Sequence, residues 1–241
     1  MTPSHLAPRS ARPAVLVTGA SRGIGRAVAE ELAADHHLIL AGRDQQALDA
    51  LAAELPSAET FVAELTDHEA TAAAVAALEL GEGLAGVVHS AGILVNGSVQ
   101  ELSAADWERN FAVNVTAVSE LTRLLLPALR TARGTVVAVN SGSGYSAKGE
   151  RGAYSASKFA LRAWTDALRQ EEVAHGVRVS SVHPGRVDTD MQHELREAEN
   201  GAYETEKYLR PQTVAAAIGF ALRAPEEAVI ATIDLRPRAI G

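Results

Sequence analysis

Three glycines near the start of the chain constrain its fold more than any other feature. Ala14-Val15-Leu16-Val17-Thr18 is a short apolar run and reads as a buried strand. It ends in Gly19-Ala20-Ser21-Arg22-Gly23-Ile24-Gly25, after which Arg26 to Leu32 has helical spacing. A strand, a glycine-rich turn and a helix in that order form a pyrophosphate site of the dinucleotide type. Glycines let the backbone approach the phosphates, and the helix N-terminus adds N–H groups and positive potential. An ordinary tight turn is the alternative, because the spacing is G-x-x-x-G-x-G rather than G-x-G-x-x-G. The strand and helix on either side favour the phosphate site.

The same alternation continues along the chain. Strands are expected at His37–Ala41, Ala58–Glu64, Leu84–His89, Gly134–Ser141, Val177–Val182 and Ala228–Leu235. Helical patterns lie between them, notably from Ser103 to about Leu129, over Gly152–Ala174 and from Pro211 to Arg223. Ser103 with Asp106 fits a capping box. This pattern predicts an α/β fold, a doubly wound, parallel, seven-stranded sheet with helices on both faces. No repeat or linker divides residues 14–241, so one domain is expected after a flexible tail at 1–13. At 47% hydrophobic residues the 241-residue chain can fill a core.

A net charge of −8 argues against a nucleic-acid surface. The absence of cysteine removes disulfides, thiolate metal sites and Cys nucleophiles. No metal is expected, since His89 has no second ligand at suitable spacing. A strand-end histidine with a backbone partner is the plainer reading of His89. No apolar window approaches a membrane span and no secretory segment is evident, so a cytoplasmic protein is expected.

The second strand ends in Gly42-Arg43-Asp44. Dinucleotide folds that take NAD place an acid near this point for the ribose 2′-OH. Here Arg43, with Arg22 from the glycine loop, suits a 2′-phosphate, which favours NADP(H). A solvated loop charge is the alternative for Arg43. Asp44 reads as an N-cap for the next helix. The fourth strand runs into Ser90-Ala91-Gly92, small residues against which a ribose can lie. The fifth ends at Ser141-Gly142-Ser143, and either serine could face the crevice at the strand ends. Tyr154 and Lys158 share one helical face, and a phenol beside an ammonium is a proton donor of adjustable pKa. Asn114, inside an apolar stripe, is a structural clasp or part of a proton path.

Together these residues resemble the short-chain dehydrogenase/reductase family. The motifs are Thr18-Gly19-x-x-x-Gly23-x-Gly25, Ser90-Ala91-Gly92, Trp107, Asn114, Ser141, Tyr154-x-x-x-Lys158 and Pro184-Gly185. They appear in order from about residue 14 to 191. The resemblance implies a catalytic tetrad of Asn114, Ser141, Tyr154 and Lys158, which favours Ser141 over Ser143. It implies cofactor contacts from Gly19, Ser21, Arg22, Gly23, Ile24, Gly25, Arg43, Glu64, Leu65, Ser90, Ala91, Gly92, Tyr154, Lys158, Pro184, Gly185, Val187 and Thr189. Two departures stand out: His89-Ser90 where the family has Asn-Asn, and Glu64 where it has an aspartate near the adenine.

The implied reaction is reversible hydride transfer between NADP(H) and a ketone or aldehyde. Lys158 and the oxidised nicotinamide are expected to lower the Tyr154 pKa, Lys158 also to hold the nicotinamide ribose, and Asn114 to anchor a water. Rival readings are an NAD-linked alcohol dehydrogenase using Asp44, or a nucleotide-sensing protein without catalysis. The family also implies a homotetramer or dimer built on the long helices. Residues 190–210, charged and weakly patterned, read as a mobile substrate lid, with Tyr145, Met191, Tyr203 and Tyr208 as candidate pocket residues. That segment has no basic patch, so it makes no case for a phosphorylated or carrier-bound substrate.

Overall fold

A computed structural model describes residues 12–198 and 201–238. The expected tail lies outside these residues except for Arg12 and Pro13. Seven parallel strands form one sheet: β1 Ala14–Thr18, β2 His37–Gly42, β3 Ala58–Val62, β4 Gly86–His89, β5 Thr135–Val139, β6 Arg178–Pro184 and β7 Thr232–Leu235. Their spatial order is β3-β2-β1-β4-β5-β6-β7. The eight α-helices of the described residues are α1 Gly23–Leu32, α2 Gln45–Glu54, α3 His68–Ala76, α4 Ala104–Phe111, α5 Ala117–Ala132, α6 Gly152–Glu171, α7 Asp190–Ala198 and α8 Pro211–Leu222.

Strand periodicity explains why helices cover both faces. Successive β1 side chains point to opposite sides. Val15 and Val17 pack with Val28 and Leu32 of α1 and with Val214 and Ile218 of α8. Ala14 and Leu16 pack with Leu121, Leu125 and Leu129 of α5 and Leu168 of α6. Strand order reverses between β1 and β4, and a crevice opens beyond the carboxyl ends of those strands. Their ends are tied together by Thr18, whose Oγ1 accepts from the Ser90 and Ala91 N–H groups at 3.0 Å each.

Four expectations change. The single helix from Ser103 to about Leu129 is α4, a π-helical turn at Ala112–Thr116, and α5. The capping box at its start is present. Contrary to the expectation that no apolar window approaches a membrane span, the run Ala104–Ala132 has that length and apolarity; its leucines Leu121, Leu125 and Leu129 pack under the sheet. Residues 190–210 are not irregular throughout. They hold α7, the short turn Thr205–Lys207 and a bridge between Val187 and Leu209. Charged neighbours masked the helix: only Gln192 and Leu195 of the segment 190–197 are buried. The seventh strand is shorter than Ala228–Leu235, because residues 228–231 lie outside the β6–β7 ladder.

Candidate active site

The crevice divides into two connected spaces. The first, ≈ 440 Å³, is a cleft around the glycine loop, lined by Gly19, Ser21, Arg22, Gly23, Ile24, Gly25, Arg43, Glu64, Leu65, Ser90, Ala91, Gly92 and Thr189 among others. Gly25 cannot be replaced there without moving the backbone, since a Cβ would lie 2.2 Å from the Gly19 carbonyl oxygen. Gly19 itself adopts φ +66°, a region costly for other residues. No side chain caps the N-terminus of α1, so its first N–H groups suit an anion. These features fit a dinucleotide's pyrophosphate.

Both expected phosphate-binding arginines have carboxylate partners. Arg22 meets Asp190 at 3.2 Å, and Arg43 meets Glu64 at 3.0 Å. Burial pushes the Glu64 carboxyl up, but hydrogen bonds from Arg43 and Thr66 win and hold it below the usual range. Glu64 thus lies in the cleft with its carboxylate turned to Arg43 and Thr66. Asp44 caps α2, accepting from Ala47 N–H at 3.0 Å.

The second space, ≈ 380 Å³, adjoins the first through Ile24, Ser90, Thr189 and Met191, which line both. Its walls include Ser141, Tyr154, Pro184, Gly185 and Val187. The Ser141 and Tyr154 hydroxyls are hydrogen-bonded to one another. Tyr154 is only 8% exposed. Burial raises its pKa, while the Ser141 hydrogen bond and the nearby Arg151 charge oppose the rise. Lys158, 5% exposed, has its pKa lowered to about 8 by burial. The groups that act on the phenol here are burial first, then the Ser141 hydrogen bond and the Arg151 charge. The Lys158 ammonium donates to the Val139 carbonyl at 3.0 Å and sits 5.8 Å from the Tyr154 ring centre. It lies behind the lining, under Gly92, where a Cβ would fall 3.9 Å from Nζ.

Asn114 sits in the π-helical turn and also lies behind the walls. Its amide accepts from Ile93 N–H at 3.0 Å and donates to Ile93 carbonyl at 2.9 Å and to Ser157 Oγ at 3.0 Å. It is a clasp between the loop after β4 and α6, and a Cβ at Gly92 would lie 3.2 Å from its Oδ1. His89 donates to Thr122 at 2.8 Å, since the threonine gives its own proton to Val118. Burial lowers the His89 pKa to about 3, so it stays neutral. Among the described residues no cluster could hold a metal ion.

Other residues position the site without a local signal in the sequence. Asn140 accepts from Ser141 N–H at 2.9 Å and donates to the Lys158 carbonyl at 3.2 Å. His183 is 3.1 Å from the Ser141 carbonyl and stacks on Tyr145 at 4.3 Å. Both depend on strand pairing, which a linear motif does not display. Tyr145 and Met191 line the second space. Tyr203 and Tyr208 do not: they stack on each other, and Tyr203 donates to Asp188. The second space is also lined by Lys148, Arg151, Arg186 and Arg236, which come from outside the segment 190–210.

Comparison with known proteins gives a consistent picture. The family model described as short chain dehydrogenase matches residues 13–200. Glycine betaine reductase ATRR of Emericella nidulans is 34% identical over 99% of the chain, but the chain spans only 20% of that protein's length. The 2,3-dihydro-2,3-dihydroxybenzoate dehydrogenase of Bacillus subtilis is 34% identical over 79% of the chain and 76% of its own. Among solved structures, an alcohol dehydrogenase from Thermococcus sibiricus, complexed with 5-hydroxy-NADP, aligns with a TM-score of 0.86 at 26% identity, covering 95% of this chain and 98% of that one.

Proposed function

The chain belongs to the short-chain dehydrogenase family, and on that premise we propose that it is an NADPH-dependent reductase of ketones or aldehydes, acting reversibly on the corresponding alcohols. The observation that carries this reading is the hydrogen-bonded Ser141–Tyr154 pair at the junction of two spaces, one of them fitted to a dinucleotide. The Thermococcus sibiricus relative, solved with an NADP derivative, supports the cofactor class.

Bound NADPH supplies the hydride. The chain's own residues handle the substrate oxygen, which gains negative charge as its carbon is reduced. Ser141 donates a hydrogen bond to that oxygen, and Tyr154 gives it a proton. A phenol of ordinary pKa, about 10, is a reluctant acid, and burial raises it further. The Ser141 bond and Arg151 draw it back, and Lys158, with its pKa lowered to about 8, can return the proton. Positioned proton transfer of this kind contributes on the order of 10²–10⁴ in rate. Asn114 keeps the loop at 90–93 in register with α6, so a cofactor ribose held there would find small side chains and backbone.

Arg22 and Arg43 would hold the 2′-phosphate after exchanging their carboxylate partners. That prior engagement favours a second reading, in which NADH also serves. Initial rates at 340 nm with NADPH and NADH, over a panel of ketones and aldehydes, test both. Tight NADPH binding without turnover of any carbonyl would point instead to a nucleotide-sensing protein. Self-association through α5 and α6 belongs to the same proposal, and sedimentation velocity tests it.

A further inference from the structure

We infer that the substrate carries an anionic group, a carboxylate or its like, and that Arg186 and the Gln192 amide hold it beside Tyr154. This rests on the hydride-transfer reading above. The chain is acidic, at −8 overall, yet among the described residues the substrate space is lined by Lys148, Arg151, Arg186 and Arg236 and by no aspartate or glutamate. These cations come from three segments: the loop before α6, the turn after β6 and the end of β7. The glycine loop at Gly19–Arg22 lines the other space, so the cationic wall is separate from the pyrophosphate site.

Neighbouring carboxylates do not neutralise the whole wall. Asp234 pairs with Arg236 at 3.1 Å, which also donates to the His183 carbonyl. Asp188 is taken by Tyr203 and His193, and Asp190 by Arg22. Glu150, beside Lys148 and Arg151 in the chain, is exposed. Among the described residues no side chain pairs with the guanidinium of half-buried Arg186 or with the Lys148 ammonium.

Gln192 supplies the independent observation. It lines the same space, is 8% exposed, and its Nε2 donor has no hydrogen-bond partner. A buried amide without an acceptor is uncommon because leaving it unpaired is costly. A ligand oxygen would satisfy it once the side chain turns that amide toward the space. The Arg186 guanidinium and the Gln192 Nε2 carry only donors, and a guanidinium matches the two oxygens of a planar carboxylate in a bidentate pair. The anion is thereby set on the α7 side of the space and the reacting carbonyl at the Ser141–Tyr154 side.

The test is NADPH consumption with pyruvate, acetoacetate and levulinate, each against its methyl ester, and with dihydroxyacetone phosphate against dihydroxyacetone. At least one acid should exceed its ester in kcat/KM by about tenfold or more, the scale of one charge-assisted hydrogen bond. Arg186→Ala should collapse that ratio through the KM of the acid, Arg186→Lys should keep most of it, and Gln192→Leu should lower it a few-fold. Preference confined to the phosphate pair would make the anion a phosphate. A ratio of one or less on every pair turned over, or a ratio indifferent to Arg186→Ala, overturns the anion site and leaves the reductase intact. Calorimetric titration with malonate separates the remaining cases. Malonate binding that weakens in Arg186→Ala, with nothing reduced, keeps the anion site and overturns hydride transfer. No turnover and no malonate binding overturns both.

Discussion

The two spaces at the strand ends handle charge in opposite ways. In the dinucleotide cleft Arg22 and Arg43 each rest against a carboxylate, Asp190 and Glu64. In the substrate space, among the described residues, Arg186 and Lys148 have no such partner and the lining holds no acid. The cleft can exchange an internal ion pair for a ligand phosphate, so its net gain from that phosphate is reduced. The substrate space has unspent positive potential, which acts directly on an incoming anion and on the neighbouring phenol. A solvent-exposed pair is worth about 0–1 kcal/mol, so under the proposed function the cleft would tune cofactor choice modestly while the buried hydroxyl pair would govern the chemistry.

The largest effect should come from the buried side. Tyr154→Phe should lower kcat by on the order of 10²–10⁴ while fluorescence titration shows NADPH still bound; retained turnover would remove Tyr154 from the proton path. A pH profile comes next. Lys158, with its pKa near 8, is charged below that value and loses its charge above it. Tyr154 is raised above its ordinary value and stays protonated through the same window. Reductive kcat/KM should therefore be level below about pH 8 and fall as pH rises through it, approaching tenfold per unit. A profile that stays flat to pH 10 would dissociate Lys158 from the reaction.

On the cleft side the changes should be smaller. Arg43→Ala should raise the KM for NADPH about tenfold and leave that for NADH nearly unchanged; equal effects on both would return Arg43 to the status of a solvated loop charge. Smallest of all, Glu64→Gln should lower the KM for NADPH by about two- to fivefold, the worth of an exposed pair, because Arg43 no longer has to leave a carboxylate. An unchanged KM would mean that the Arg43–Glu64 pair does not compete with the cofactor.

Legibility followed chain proximity. The glycine loop, the Asp44 cap and the Ser103 capping box are each complete within a few residues, and each could be placed before the fold was known. Lys158 shows the limit of such a motif. Its spacing from Tyr154 put both on one helical face, but the ammonium is turned to the Val139 carbonyl, a partner available only because β5 passes beneath α6. Arg151 adds a charge near Tyr154 from the turn before the same helix. Likewise α7 escaped detection because its few buried positions lie among charged ones, and its inward face matters only against the β6 turn.

By itself the sequence determined the class of sheet, the phosphate loop and the Tyr154–Lys158 helix, because periodicity and short motifs are properties of contiguous chain. Tertiary structure alone decided which charges face the reacting groups. Lys148, Arg151, Arg186 and Arg236 share a wall through the parallel pairing of β5, β6 and β7, and Gln192 joins them through the packing of α7. Electrostatic environment is a sum over neighbours in space, and most of those neighbours are far away along the chain.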